Sequence, residues 1–434
     1  MHKPHIEYEI CLSGDIKLPL LENWKYLRNN KKITNNYKAT YLDDDDLYLL
    51  KNRLGLRLRY ENTVWVQTLK FEKFNHTCIE WNSNLNQTVK KHDPQLNPMA
   101  LPNLQMLRKN GCFLKKDLKL ISTNLKDKFT ITTKRFSWIS NFKESIIEVS
   151  FDSGWIHAKR HKEKISEVEL ELIRGEPYQV WLLAKEMIQL FPNLVFQYRS
   201  KAFRGFLLSG FNWRLLQSSK TDKKKFKKVK FELLLRELIL KKNKTLSFFF
   251  QLLIDNKKKQ FTEEIVVTLN ELRYLFQLLI IIRINQNKKD LKLLKSLKYR
   301  CTNIVKTLKK VENIHLTDKY KQTDKSLMYK SLSNVVQELI ADLGLFANKN
   351  SLLDSANANS YVNDFFLKFE KHIDRRICFN QKNVPSNRNK RSYNLITYNS
   401  YLLETIGVAA KIISKNRQLD FDVEKQIKKL NYLS

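Results

Sequence analysis

Residues 167–172 read Glu-Val-Glu-Leu-Glu-Leu, a period-two alternation that a β-strand uses and a helix does not. In a strand the carboxylates of Glu167, Glu169 and Glu171 share one face, and Val168, Leu170 and Leu172 share the other. Carboxylates spaced in this way lie about 6–7 Å apart and repel one another unless cations sit between them. The same grammar recurs at Ile6–Ile10, which groups Glu7 with Glu9, and at Leu54–Arg59, which groups Arg57 with Arg59. It recurs again at Thr68–Glu72, where Lys70 stands on the polar face. A sheet face turned to water usually mixes charge signs within a strand. Here two strands are wholly acidic on their polar face and another is wholly basic. Acid and base segregated around one interior suit divalent metal and phosphate together: carboxylates take Mg²⁺ or Mn²⁺, while guanidinium and ammonium groups take phosphate oxygens.

The rest of the chain divides in two. Seven of nine glycines, seven of eight prolines and all seven tryptophans precede residue 214. Turn formers and β-favouring aromatics therefore crowd the first half, as a multi-stranded antiparallel domain requires. The second half is nearly free of helix breakers and rich in Leu, Lys and Ile, which predicts helices. These patterns predict an α+β chain with a β domain over 1–215 and a basic all-helical domain over 216–434. Lysines 220–230 read as a solvated connector between them. Residues 1–219 carry 35 Lys+Arg against 23 Asp+Glu, a balance of +12, whereas the whole chain reaches +35, so most of the excess lies in the helical half. Heavy use of Lys and Asn contributes to this figure, but the excess also implies a polyanionic partner such as a phosphate-rich ligand. Nucleic acid is the weaker choice, since charge alone favours it.

Several classes are excluded. At 42% hydrophobic the chain can bury real cores and is not a disordered one. The five cysteines, Cys11, Cys78, Cys112, Cys301 and Cys378, are scattered without a C-x-x-C pair, so neither a zinc knuckle nor a disulfide framework is supported. Free thiols, an N-terminus without an apolar signal core and a most hydrophobic run (275–284) about half a membrane span point to the cytoplasm. No P-loop and no G-x-S-x-G elbow is present. His157 and His161 read as a surface turn, Asp43–Asp46 as a solvated loop, Leu291–Lys298 as an amphipathic helix, and Phe365, Phe366 and Phe369 as helical core.

The ordered motifs resemble the CYTH family, the triphosphate tunnel enzymes. Glu7-Tyr8-Glu9-Ile10-Cys11 stands for the opening E-x-E-x-K, Tyr41-Leu42-Asp43 for Y-x-D, and Leu56-Arg57-Leu58-Arg59 for L-R-x-R. Thr68-Leu69-Lys70 follows as T-x-K, Cys78-Ile79-Glu80-Trp81 as a partial R-x-E-aromatic, and Arg135-Phe136-Ser137-Trp138 as the R-x-K/R-W strand. Phe151-Asp152-Ser153-Gly154 resembles an L-D-x-G turn; Glu167, Glu169 and Glu171 complete E-x-E-x-E; Ser200-Lys201 with Arg204-Gly205 resembles the closing S-K-x-x-R-G.

The resemblance implies a closed antiparallel barrel over roughly residues 5–210 that hydrolyses inorganic triphosphate to diphosphate and phosphate with Mg²⁺ or Mn²⁺. It implies Glu7, Glu9, Asp152, Glu167, Glu169 and Glu171 as metal ligands. Arg57, Arg59, Lys70, Arg135 and Lys201 become substrate-binding residues, and Glu169, Glu171 and Lys201 catalytic ones. Adenylate cyclisation, thiamine triphosphate hydrolysis and non-catalytic binding of polyphosphate or an organic triphosphate are the alternatives. The helical half resembles a CHAD domain in position, helicity and charge, and polyphosphate is its expected ligand. Cys11, Cys78 and Ser137 stand where the family pattern has basic residues, so the acidic side is complete and the basic side is eroded. Each lost contact weakens phosphate binding by about 1.5–3 kcal/mol.

Overall fold

The computed structural model describes residues 4–61, 63–73, 76–85, 95–211, 231–256, 259–282, 288–315 and 322–348. The lysine stretch 220–230, the Phe365, Phe366 and Phe369 group and Cys378 lie outside them. Among the described residues nine strands run β1 His5–Ser13, β2 Ile33–Asp43, β3 Leu54–Glu61, β4 Val64–Glu72, β5 Thr77–Leu85, β6 Lys126–Phe142, β7 Ser145–Ala158, β8 His161–Arg174 and β9 Val195–Phe196. Six short or medium helices accompany them: α1 Leu18–Glu22, α2 Tyr48–Lys51, α3 Leu104–Lys109, α4 Leu118–Ile121, α5 Pro177–Leu190 and α6 Lys201–Leu208. Four long ones follow: α7 Phe231–Asn256, α8 Lys259–Ile282, α9 Lys288–His315 and α10 Gln322–Asn348.

The strands pair in the order β5-β4-β3-β2-β6-β7-β8-β1, and β1 pairs back onto β5. Eight antiparallel strands thus close into a barrel, followed by helices, as the sequence patterns and the resemblance led us to expect. Closure removes the open edges that would otherwise template aggregation. The register aligns the polar faces: Cys11 lies opposite Glu169 and Glu9 opposite Glu171 across β1 and β8, while Arg135, Asp152 and Glu167 align across β6, β7 and β8. All of these therefore face the lumen.

This barrel is charged inside over most of its length, so its main cores lie outside the wall. Leu54, Leu56, Leu58, Leu69, Phe71, Ile79 and Trp81 pack outward with Leu107 of α3 and Leu118 of α4. The outward residues Leu12, Val168 and Leu170 are fully buried, with α5 packed on β1 and β8. One stretch of the lumen is apolar. Tyr41, Phe129, Ile131, Ile156, Ile165 and Phe206 cluster there, with Tyr41 stacked on Phe129 at 4.7 Å.

Two local expectations are corrected. Phe151–Gly154 is no turn; it lies within β7, paired on both sides. Glycine is needed at 154 because a Cβ there would lie 2.0 Å from the Thr132 carbonyl oxygen. Asp43 is not a solvated loop residue. It is fully buried, and its carboxylate accepts hydrogen bonds from the backbone N–H groups of Asp44, Leu49 and Leu50 at 2.9–3.0 Å, satisfying donors at the start of α2. The residues either side of the β7–β8 turn, His157 and His161, are exposed as expected.

One compact unit joins the barrel with Ser247–Lys257 and Ser326–Leu345. Within it the indole of Trp181 occupies the space above Gly344, where a Cβ would lie 2.2 Å from the ring. The Phe196 peptide donates to Gln337 Oε1 at 2.8 Å and accepts from Ser247 Oγ at 3.2 Å, while Lys185 pairs with Asp342 at 2.7 Å. The second unit holds the rest of the described helices, including α8 and α9 packed together. There Leu294, Leu297, Cys301, Ile304, Leu308 and Val311 are buried at three- and four-residue intervals, the single apolar face of an amphipathic helix. Among the described residues no helix is long and apolar enough to cross a membrane.

Because Trp181 is fully buried, Gly344→Val forces it or the backbone to move. We expect a loss of about 1–3 kcal/mol in urea denaturation with an unchanged slope.

Candidate functional site

The lumen is organised around cations that enter among the carboxylates. Lys201 comes not from a strand but from the first turn of α6, capped by Ser200, whose Oγ accepts from the Phe203 N–H at 3.2 Å. Its ammonium pairs with Asp152 at 2.9 Å and with both Glu167 and Glu169. Arg204 follows three residues later on the same helix, a spacing that keeps both groups on one face. It is buried and pairs with Glu167 at 2.6 Å and Glu163 at 3.0 Å. Gly205 lets the helix approach this closely, since a Cβ there would stand 2.2 Å from the Phe129 ring. The S-K-x-x-R-G motif is thus a plug: a cap, two inward cations and a contact glycine.

The strands supply the other cations. Arg135 grips Asp152 with two parallel bonds, Nε to Oδ1 at 2.7 Å and Nη2 to Oδ2 at 2.6 Å, and also pairs with Glu169. Lys70 reaches Glu7 at 2.8 Å, Glu80 at 3.3 Å and Glu9 at 3.7 Å. Arg57 lies 3.7 Å from Glu80, Arg59 pairs with Glu61 at 2.6 Å, and the Nε atoms of both arginines are buried without a hydrogen-bond partner among the described residues. Buried charged donors without an acceptor are costly.

Charge balance decides what this lumen can hold. Six cations (Arg57, Arg59, Lys70, Arg135, Lys201, Arg204) meet ten carboxylates (Glu7, Glu9, Glu61, Glu80, Glu148, Asp152, Glu163, Glu167, Glu169, Glu171) among the described residues. The excess is acidic and unevenly placed. Burial opposes ionisation of Glu169 and Glu80, but Lys201 and Arg135 hold Glu169 well below the usual carboxylate range, and Lys70 and Arg57 hold Glu80 at about 2. Toward the other end the balance reverses. Burial, then Glu7, Glu9 and Glu148, push Glu171 up to about 8. Lys70 pulls Glu9 down, but burial with Glu169 and Glu7 outweighs it and leaves Glu9 above its ordinary value.

The three positions without the family's basic residue now have surroundings. Cys11 lies beside Glu167 and Glu169, and burial pushes its thiol well up, so it brings no charge. Cys78 is buried opposite Glu7 and likewise raised, first by burial. Ser137 meets Ser150 at 2.8 Å, and Ser150 donates to Glu148 at 2.8 Å, so a hydroxyl pair ends on a carboxylate where a cation is expected.

All the residues expected from the sequence line this one lumen, in two groups. Asp152, Glu167 and Glu169 are enclosed by Lys201, Arg135 and Arg204. Glu7, Glu9 and Glu171 share Lys70 and the imidazole of His5, 3.7 Å from Glu171. The second group suits a divalent cation by its donor chemistry: clustered carboxylate oxygens whose mutual repulsion already disfavours ionisation. Arg204, His5 and Glu148 were not expected here. Arg204 was legible from its spacing to Lys201 and His5 from its period with Glu7 and Glu9; nothing local marks Glu148.

The edge of β1 that carries this acid is held from outside the ladder. Between its β5 and β9 pairings, the Glu9 N–H donates to the His76 carbonyl at 3.0 Å and the Cys11 carbonyl accepts from Gln197 at 2.8 Å. Trp181 Nε1 donates to the Tyr8 hydroxyl at 2.7 Å on the outer face.

A closed eight-stranded antiparallel barrel with an ion-paired lumen is the architecture of the triphosphate tunnel class. Residues 5–206 match the CYTH domain family model, and the chain carries a CYTH domain over that span. A curated inorganic triphosphatase of Haemophilus influenzae is 29% identical over 209 residues, which cover 47% of this chain and 54% of that protein. The chain therefore spans about half the length of this curated relative. Similar solved structures include a Hippeastrum protein described as a candidate adenylyl cyclase with a dominant triphosphatase activity, at 16% identity over 48% of this chain and 98% of that one, with a TM-score of 0.32. Another is the PH1819 protein of Pyrococcus horikoshii, at 15% identity over 47% of this chain and all of that one, with a TM-score of 0.30.

Glu171 carries a proton in the folded state up to about 8 that it loses near 4.5 when exposed, so it stabilises the fold below about 4.5 and that contribution drains away as pH rises to about 8. In metal-free buffer Glu171→Gln should melt higher than the parent at pH 8 and close to it at pH 4.5. A thermal melt series across this window checks the sign.

Proposed function

We propose that the barrel is a metal-dependent inorganic triphosphatase that hydrolyses triphosphate to diphosphate and phosphate. The observation that carries this reading is the division of the lumen: acid gathered around Glu7, Glu9 and Glu171 faces guanidinium groups on β3 whose Nε donors lack acceptors. Triphosphate brings oxygens for those donors. It also brings about four to five negative charges, which an acid-rich lumen would repel. Glu7, Glu9 and Glu171 are the residues that would hold Mg²⁺ or Mn²⁺. When bound, such an ion supplies charge neutralisation at the phosphate oxygens. Arg57 and Arg59 then orient the chain of phosphates, with Lys70, Arg135 and Lys201 free to exchange a carboxylate for a phosphate oxygen. Lys201 would serve the reacting phosphoryl group by screening its charge, held ready by Asp152 and Glu169. Asp152 and Glu167 act in this scheme chiefly as counter-ions that keep Lys201 and Arg204 in place.

Cyclisation of ATP and hydrolysis of thiamine triphosphate use the same fold and remain the alternatives for substrate. A second reading concerns the helical half, proposed as a CHAD-like domain over 216–434 that binds polyphosphate. It is favoured by the exposed face of α9, where Lys292, Lys295, Lys306, Lys309 and Lys310 flank the exposed Tyr299.

Release of phosphate from inorganic triphosphate with Mg²⁺ or Mn²⁺ is the expected result, measured beside ATP and thiamine triphosphate. No release from any of the three would end the hydrolase reading. Glu169→Gln should lower turnover by about a hundredfold or more, because it loosens Lys201 and Arg135 at once. Cys11→Lys should tighten triphosphate binding by about 1.5–3 kcal/mol if the eroded position is a phosphate contact; unchanged affinity would mean that Lys201 already fills that role.

A further inference from the structure

Among the described residues, two places in the lumen bring three metal-ligating side chains together with donor atoms within 4.8 Å of one another: His5, Glu7 and Glu171, and Cys11, Glu167 and Glu169. The second is closed to a cation. Glu167 and Glu169 are already paired with Lys201, Arg135 and Arg204, and a new ion would have to break buried pairs. The first is open. Glu171 meets no Lys or Arg within ion-pair distance among the described residues, and its nearest basic group is the His5 imidazole at 3.7 Å.

We propose that His5 is a metal ligand, giving the lumen a mixed nitrogen and oxygen site that favours Mn²⁺, Co²⁺ or Zn²⁺ over Mg²⁺. This rests on the metal-dependent reading above and adds the identity of the ion. Three features support it. His5, Glu7 and Glu9 follow the period of β1, so the imidazole stands on the same face as the carboxylates. Its side chain is 60% exposed and paired only loosely, so it can turn toward an ion without losing a buried contact. Imidazole nitrogen suits borderline divalent ions, whereas an all-oxygen set suits Mg²⁺, so one histidine shifts the preference of a carboxylate site. Two carboxylates and one imidazole also leave coordination positions for phosphate oxygens.

The test uses the full chain, stripped of metal, and its His5→Gln variant, each titrated calorimetrically with Mn²⁺, Co²⁺ and Mg²⁺, with the visible spectrum of the Co²⁺ form recorded. We expect the variant to lose roughly tenfold or more in affinity for Mn²⁺ and Co²⁺, to keep its Mg²⁺ affinity, and to shift the Co²⁺ absorption bands. An unchanged Co²⁺ spectrum, or an equal loss for all three ions, overturns the assignment of His5 and leaves the triphosphatase reading intact. A parent chain that binds none of the ions overturns both. The position is exposed, so a matching thermal melt is expected and confirms that the variant is folded.

Discussion

The Lys201 ammonium joins Asp152 of β7 to Glu167 and Glu169 of β8, and the arrangement of the whole lumen follows from that junction. Three carboxylates so close together would repel strongly in a partly desolvated space. One cation delivered by a helix, together with Arg135 and Arg204, turns that repulsion into a fixed lattice of charges. The helix can deliver it only because Gly205 clears the Phe129 ring and Ser200 caps the first turn. A motif that reads as a short string of residues is therefore one mechanical part with four components.

An interior given over to charge has to be supported from without. Apart from the lumenal cluster around Tyr41 and Phe129, the strands turn their apolar sets outward, and the main cores lie between the wall and the covering helices. The demand is sharpest at β1, which carries Glu7 and Glu9. Its edge passes from β5 to β9 with the His76 and Gln197 backbone groups bridging the interval. Behind it Tyr8 is tied to Trp181, and Trp181 is seated on Gly344. The position of the acidic strand thus depends on residues that never touch the lumen.

Much of this was legible in the sequence, for a definite physical reason. Period two fixes a face, so Glu167, Glu169 and Glu171, and likewise Glu7 and Glu9, could be assigned to a common side before any pairing was known. What spacing cannot carry is the partner of each charge. That Asp152 and Glu167 belong to Lys201 and Arg204, whereas Glu171 stands with Glu7, Glu9 and Glu148, depends on register across β1, β8 and β7 and on the angle at which α6 enters. The turn expected at Phe151–Gly154 failed for a related reason: the glycine there admits a neighbouring strand's carbonyl, not a bend. Asp43 failed because an acidic run reads as solvent-facing, while its first member caps a buried helix start.

The account's central claim is that the acid-rich lumen admits triphosphate only together with a divalent cation. Calorimetric titration of the full chain with a non-hydrolysable triphosphate analogue tests it most directly, once in chelator and once with Mn²⁺. The account predicts no measurable heat in chelator and saturable binding with the ion. Binding of equal strength in both would contradict it, and would mean that Arg57, Arg59, Lys70, Arg135 and Lys201 suffice on their own.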